Sequence, residues 1–152
     1  MATIILICGL PGSGKTTLAN QLARVRPALR LGEDDWMVQL FASPDGHGED
    51  QREAIKRVQW AIATNVALLG IDVVLDWGFW SRRERDDYRA RAATLDIPTE
   101  LRFLDVPRDE LIRRLAVRDA DRPPATFAVA EADLNRWWDA FERPGADELN
   151  PP

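Results

Sequence analysis

The sequence predicts an α/β fold: a short, mostly parallel sheet with helices on both faces. Three observations carry that expectation. Short strand-like runs at 3–8, 28–31, 71–76 and 100–106 alternate with longer amphipathic or charged stretches, and strands alternating with helices build a parallel sheet covered on both sides. The first run, Thr3-Ile4-Ile5-Leu6-Ile7-Cys8, is almost wholly apolar, as a strand buried on both faces must be. It leads at once into Gly9-Leu10-Pro11-Gly12-Ser13-Gly14-Lys15-Thr16, which has the form G-x-x-x-x-G-K-[ST], a loop that belongs between a strand and a helix N-terminus.

Each further element has its own signal. Thr17 to Ala23 reads as a helix with Leu18 and Leu22 on one face. Ala28-Leu29-Arg30-Leu31 is the second strand, ending at Gly32, and a short helix is predicted from Asp35 to Phe41. Residues 43–50 form a polar, glycine-bearing loop that holds the one histidine, His47. A long helix is predicted over 51–69, with Ile55, Val58, Ile62, Val66 and Leu69 as its apolar stripe and Gly70 closing it. The third strand is 71–76. The helix predicted over 81–95 is so charged that it should face solvent. The fourth strand is 100–106. Pro107 then suits the first turn of a helix, with Asp109 and Glu110 near its positive end and Arg113, Arg114 and Arg118 further along. Asp121-Arg122-Pro123-Pro124 breaks it, and a last helix covers about 129–141. A single domain over 1–143, with a lid at about 114–126 and a C-terminal tail over 144–152, is the expected organisation.

At 152 residues one core is expected, with no second domain. The net charge is −5 and the isoelectric point about 4.9. Proteins that grip nucleic acid usually carry a basic footprint, so a nucleic-acid partner is disfavoured. No run approaches the ~20 apolar residues of a membrane span and no secretory leader is visible, so a cytoplasmic protein without a membrane partner is expected. The single cysteine, Cys8, excludes a disulfide framework and reads as a buried inert thiol. His47 has no Cys or second His at ligand spacing, which argues against a zinc site or a nucleophile triad.

In such sheets the C-terminal ends of the strands share one edge, where ligands bind. The glycine loop is a P-loop: its backbone N–H groups and the helix end make an anion site. Gly9, Pro11, Gly12, Ser13, Gly14, Lys15, Thr16 and Thr17 are the expected nucleotide contacts. Lys15 reaches the β- and γ-phosphates and the Thr16 hydroxyl holds Mg²⁺, so ATP and Mg²⁺ are expected. After the second strand come Glu33, Asp34 and Asp35. One of the two aspartates suits a carboxylate that accepts the proton of an attacking hydroxyl; Asp is also favoured as a helix N-cap, and both readings can hold. Asp76 ends an apolar strand, as an acid that meets Mg²⁺ through water or orients Lys15, Thr16 or the acceptor does. Arg114, Arg118 and Arg122 share a helix face, suited either to a lid that clamps phosphates or to a solvated surface. Trp36, Trp77, Phe79 and Trp80 flank the acidic loops and either stack on an acceptor ring or roof the core. Trp60, Trp137 and Trp138 read as packing residues.

The stretches Gly9 to Thr17, Asp34-Asp35-Trp36, Val73-Val74-Leu75-Asp76 and Phe103-Leu104-Asp105-Val106-Pro107, continuing through Glu110-Leu111 to Arg114 and Arg118, resemble the P-loop kinase group that includes the 5′-kinase domain of bacteriophage polynucleotide kinase, chloramphenicol phosphotransferase and the zeta toxins. The resemblance covers about residues 3 to 125. It implies a three-layer P-loop NTPase fold of the nucleoside-kinase kind. It also implies Asp34 as general base, Asp76 as the acid that orients the site, Arg118 as the lid arginine on the nucleotide phosphates, and Lys15 and Thr16 as phosphate and Mg²⁺ contacts. Where the polynucleotide kinase pattern has an arginine three residues after the base, to hold the acceptor's phosphate, this chain has Met37. That departure points away from a polynucleotide acceptor. The expectation is therefore an ATP-dependent kinase acting on a hydroxyl of a small molecule (sugar, nucleoside or antibiotic-like), with catalysis by Asp34, Lys15 and Arg118 and acceptor contacts from Asp35, Trp36, Asp76, Trp77 and Trp80. The rivals are a polynucleotide 5′-hydroxyl kinase and an ATP-binding switch without an acceptor.

Overall fold

The computed structural model describes residues 1–41, 48–120 and 130–150. In chain order the elements are β1 (Ile4–Cys8), α1 (Lys15–Val25), β2 (Ala28–Gly32), α2 (Glu33–Phe41), α3 (Glu49–Leu68), β3 (Asp72–Gly78), α4 (Arg82–Ala93), β4 (Thr99–Phe103), α5 (Arg108–Ala120), α6 (Glu131–Ala140) and α7 (Ala146–Leu149). The four strands form one sheet in the order β2-β3-β1-β4, and every neighbouring pair runs parallel.

Because successive strand residues point to opposite faces, β1 feeds two cores. Ile4, Leu6 and Cys8 join Val73, Leu75 and Trp77 beneath α3 and α4, where Ala63, Ala67, Tyr88 and Ala92 close the layer. Ile5 and Ile7 join Val74 and the α1 residue Ala19, with Leu18 and Leu22 packed alongside. A third cluster of Leu10, Leu111, Leu115 and Leu134 ties the glycine loop to α5 and α6. The result is three layers. No helix among the described residues is long and apolar enough to cross a membrane. Cys8 is buried and outside any disulfide, and burial pushes its thiol up to about 12, in keeping with an inert role.

Four expectations are corrected. The buried face of α3 is Ile55, Lys56, Gln59, Ala63 and Ala67, one step round from the predicted stripe, and Val58 and Leu69 are exposed. The step follows from Gln59, whose side chain donates to the Gly32 carbonyl at 3.0 Å and accepts from the Trp77 indole at 2.7 Å. Those two bonds make a buried amide worth keeping where an apolar side chain would leave both partners unsatisfied. The charged helix α4 is not wholly solvent-facing, since Arg85 is fully buried. The segment read as a tail holds α7, and its Glu148 is buried against Arg85. Finally, α2 begins at Glu33, directly after β2, so Asp34 and Asp35 lie within its first turn and not before it.

The helix predicted over 129–141 is α6, shorter at both ends. His47, Arg122, Pro123 and Pro124, and the far part of the predicted lid, lie outside the described residues.

Candidate active site

The C-terminal edge of the sheet opens into a cavity of about 740 Å³. One wall is the glycine loop and the start of α1, contributing Pro11, Gly12, Gly14, Lys15, Thr16 and Thr17. Gly12 has a φ of 83°, and a Cβ there would stand 3.0 Å from Leu115 Cγ, so the loop rests on α5 only because this residue has no side chain. Facing it are Arg114 and Arg118 of α5. Arg114 donates to Glu110 at 2.9 Å, and Arg118 lines the same cavity.

The floor is made by the ends of β2 and β3. Thr16 Oγ1 donates to Asp76 Oδ2 at 3.0 Å, and Arg30 Nη2 donates to the same oxygen at 2.8 Å. Arg30 Nη1 reaches Asp35 at 2.5 Å. Burial works against the Arg30 charge, but hydrogen bonds and charge from Asp76 and Asp35 outweigh it and hold its pKa above the ordinary value. Gly32 makes room for this arrangement: a Cβ there would sit 2.9 Å from Arg30 Nη2 and 3.0 Å from Asp35 Oδ2. Among the described residues no group of three or more His, Cys, Asp or Glu is placed to hold a metal alone. Thr16 and Asp76 offer hard oxygen donors side by side, which suits a Mg²⁺ that completes its shell with water and phosphate.

The far wall carries Glu33 and Asp34 of α2, Glu49, Arg52 and Lys56 of α3, and Glu84 of α4. Asp34 is 55% exposed and accepts from Arg52 Nη1 at 2.9 Å. Lys56 donates to Glu84 at 2.6 Å. Burial pushes the Glu33 carboxyl up to about 7, with Asp34 and Glu84 acting the same way and Lys56 and Arg52 opposing.

The turn after β3 closes one side. Gly78 has a φ of 86° and Phe79 one of 46°. The Gly78 carbonyl accepts from the Gly9 amide at 3.0 Å, which locks this turn to the start of the glycine loop. The Phe79 carbonyl accepts from Arg85 at 2.9 Å. Arg85 in turn grips Glu148 through Nε at 2.8 Å and Nη2 at 3.0 Å, and the Trp80 carbonyl accepts from the Glu142 amide at 2.8 Å. The C-terminal segment therefore buttresses the wall that bears Trp80.

The structure brings Pro11, Gly12, Gly14, Lys15, Thr16, Thr17, Asp34, Asp35, Asp76, Trp77, Trp80, Arg114 and Arg118 onto one cavity. Gly9 and Ser13 stand behind the loop: Gly9 holds the β3 turn, and Ser13 lines a separate cavity of about 70 Å³ with Asp105. Trp36 packs against the core beside β1 and β3 and is not on the cavity wall, because its position on α2 turns it under the helix. Trp77 reaches the cavity only marginally, being 4% exposed with its indole N–H taken by Gln59. Trp137, read as packing, both packs on Trp80 and lines the cavity. Trp60 and Trp138 pack as expected. Met37 is buried and offers the cavity nothing.

Arg30, Arg52, Lys56 and Glu84 were not foreseen as site residues. Arg30 interrupts an otherwise apolar short strand, a local signal for an inward charge at the sheet edge. Lys56 is one of only two lysines in the chain and falls on the buried face of α3. Arg52 and Glu84 had no local signal, since each finds its place through partners on other elements.

The sequence profile of the family described as AAA domain matches residues 4–144. A protein of Aeropyrum pernix named "Probable adenylyl-sulfate kinase" is 28% identical over 116 residues, covering 73% of this chain and 63% of that protein. The chain thus spans less than two thirds of that relative. Among solved structures, a chain of the Pnkp1/Rnl/Hen1 RNA repair complex superposes with a TM-score of 0.76 at 20% identity, over 91% of this chain and 43% of that one. Kti12 of Chaetomium thermophilum, in complex with ADP-AlF3, gives 0.71 at 17% identity, over 93% and 81%. A gluconokinase from Sinorhizobium meliloti 1021 gives 0.63 at 17% identity, over 96% and 77%. At these identities the structural likeness is one of fold, that of a kinase-like P-loop domain.

Proposed function

Because the chain belongs to the AAA domain family, whose profile spans residues 4–144, and folds as a kinase-like P-loop domain, we propose that it is an ATP-dependent kinase that transfers the γ-phosphoryl group to a hydroxyl of a small molecule. The observation that carries this reading is the shared cavity: Lys15, Thr16 and Arg118 on one side and the exposed carboxylate of Asp34 on the other. A nucleotide switch has no use for a carboxylate placed to meet an acceptor hydroxyl.

In this mechanism the acceptor oxygen attacks the γ-phosphorus, the bond from that phosphorus to the β-bridging oxygen breaks, and ADP leaves. Asp34 aligns the acceptor hydroxyl and takes its proton. Lys15 and Arg118 hold the phosphate oxygens and offset their charge as the phosphoryl group moves. Thr16 and Asp76 would hold Mg²⁺, which neutralises phosphate charge when bound. Holding both reactants in one cleft supplies much of the acceleration. Names among the similar proteins point to small hydroxyl compounds and to RNA. The net charge of −5 and the buried Met37 favour the small molecule.

The test is phosphoryl transfer from γ-labelled Mg·ATP to a pool of small hydroxyl metabolites, with a 5′-hydroxyl oligonucleotide in a parallel reaction. Label in the small-molecule pool is the expected outcome. Label on the oligonucleotide alone overturns the choice of acceptor, and ATP binding with label in neither favours a switch.

A further inference from the structure

Arg85 of α4 is fully buried and is not among the residues that line the cleft. Its guanidinium closes a ring of hydrogen bonds on the turn after β3. Nη1 donates to the Phe79 carbonyl and to the Glu142 carbonyl, each at 2.9 Å. The Glu142 amide donates to the Trp80 carbonyl at 2.8 Å, which completes the ring. Nε and Nη2 rest on the two carboxylate oxygens of Glu148 at 2.8 and 3.0 Å. Glu148 is held in turn by Arg89 at 2.8 Å and by the Gly145 amide at 3.2 Å.

The turn that this ring grips is a demanding one. Phe79 has a φ of 46°, in the left-handed region, which is costly for a bulky side chain and persists only where the surroundings fix it. Two donors fix its carbonyl, Arg85 Nη1 and, at 3.3 Å, Cys8 Sγ. One residue earlier, the Gly78 carbonyl accepts from the amide of Gly9, where the glycine loop begins. One residue later, the Trp80 indole folds back over Gly78, so close that a Cβ there would stand 2.9 Å from its Nε1. Residues 78–80 are thereby tied into one piece, with the glycine loop on one side and the cleft wall on the other.

A buried ion pair is by itself weak evidence for stability, since apolar side chains of similar volume often do as well. What a guanidinium adds is direction: its N–H donors lie in one rigid plane, and here two of those bonds go to main-chain carbonyls. Resting on the kinase reading above, we propose that Arg85 is a positioning residue for phosphoryl transfer: seated on Glu148, it fixes the Phe79 carbonyl and so sets both the Gly9 end of the glycine loop and the place of Trp80 on the cleft wall. It touches neither nucleotide nor acceptor and acts through the turn. Glu142 and Glu148 make the C-terminal segment part of the same framework.

The experiment is fluorine NMR on the full chain labelled with fluorotryptophan, the Trp80 resonance assigned through Trp80→Phe, together with calorimetric titration of Mg·ADP. Wild type is compared with Arg85→Lys, Arg85→Met and Glu148→Gln. A fourth variant, Ala92→Gly, weakens the same helix at a buried position outside the ring, and urea midpoints give the stability of each. The expected result for both Arg85 variants is a displaced or broadened Trp80 resonance and about tenfold weaker ADP binding, as misplacement of a site element produces. Glu148→Gln changes both in the same direction and by less, because Arg85 stays in place with a weaker seat. Ala92→Gly loses stability and keeps the wild-type Trp80 resonance and ADP affinity. If the Arg85 variants do not fold, Glu148→Gln decides alone. A Trp80 resonance or an ADP affinity unchanged in the folded Arg85 or Glu148 variants, or changed as much in Ala92→Gly, overturns the proposal. The two readings fail separately: ADP binding by wild type without label transfer to any hydroxyl sinks the kinase and leaves Arg85's hold on the turn, while label transfer with Arg85 variants that match wild type does the reverse.

Discussion

Arg30 and Thr16 meet on a single oxygen, Asp76 Oδ2, at 2.8 and 3.0 Å. β2, β3 and the head of α1 are thereby joined at the point where the nucleotide phosphates would arrive. Arg30→Ala leaves Asp76, a nearly buried carboxylate, without its cation. We expect a loss of about 2–3 kcal/mol, read as a lower urea midpoint at unchanged m-value, with weakened nucleotide binding. Gly32→Ala should give a milder form of the same defect, since the added Cβ meets Arg30 and Asp35 at about 3 Å.

Asp34→Asn should lower turnover by about 10²–10⁴-fold while leaving ATP affinity and stability within error. Its side chain is more exposed than buried and its only described tie is to Arg52, so a surface-like stability effect is expected. Asp35→Asn should instead cost stability, because Asp35 is a partner of Arg30. Steady-state kinetics and calorimetric ATP titration on both variants separate the two aspartates.

Arg114 and Arg118 of α5, both on the cavity, are not equivalent. Arg118→Ala is expected to lower turnover by about 10²-fold or more, as the loss of a charge stabiliser does. Arg114→Ala should act mainly by releasing Glu110, which Arg113 and Arg114 together hold at about 2, well below the usual carboxylate range. Equal losses in the two variants would contradict this division.

Trp80 and Trp36 divide likewise. Trp80 lines the cleft and Trp36 packs on the core. Trp80→Ala should raise the acceptor KM more than it lowers the melting temperature. Trp36→Ala should lower the melting temperature by several degrees, as loss of about 1–3 kcal/mol does in a domain of this size, with little change in KM.

Glu148 makes stability fall in acid. Hydrogen bonds from Arg85 hold its carboxyl at about 2, below the ordinary 4.3 or so of an unfolded Glu. A depressed folded pKa contributes stability that is complete above the unfolded value and is lost as pH falls from about 5 towards 2. Urea midpoints against pH should show that loss in wild type and a shallower one in Glu148→Gln. Glu33 has the opposite sign. Its folded value near 7 makes its contribution decline as pH rises from about 4 to 7, a decline that Glu33→Gln abolishes.

The sheet and its nucleotide side were legible because their signals are local. The apolar run Ile4–Cys8, the glycine loop and the strand ending at Asp76 each sit within a few residues, and the fold follows from their order. The far wall of the cavity was only half legible. That Asp34 lines the cavity could be read from its place after β2, but Arg30, Arg52, Lys56 and Glu84 acquire meaning through partners 5 to 46 residues away. The stripe on α3 failed for the same reason: Gln59 is buried by what Gly32 and Trp77 require of it, and no apolar periodicity reports that. Arg85 and Glu148, 63 residues apart, looked like two ordinary surface charges.

That separation also sets an order of events during synthesis. Arg85 leaves the ribosome 63 residues ahead of Glu148, an interval of about 3–13 s at common elongation rates. Throughout it the guanidinium that steadies the Phe79 carbonyl lacks its carboxylate, and the Trp80 carbonyl lacks the Glu142 amide. The glycine loop is translated among the first residues, yet the turn joined to it through Gly78 gains its last supports from Glu142 and Glu148. A nascent chain therefore carries its glycine loop for seconds before the turn at Trp80 has the two supports that the C-terminal segment brings.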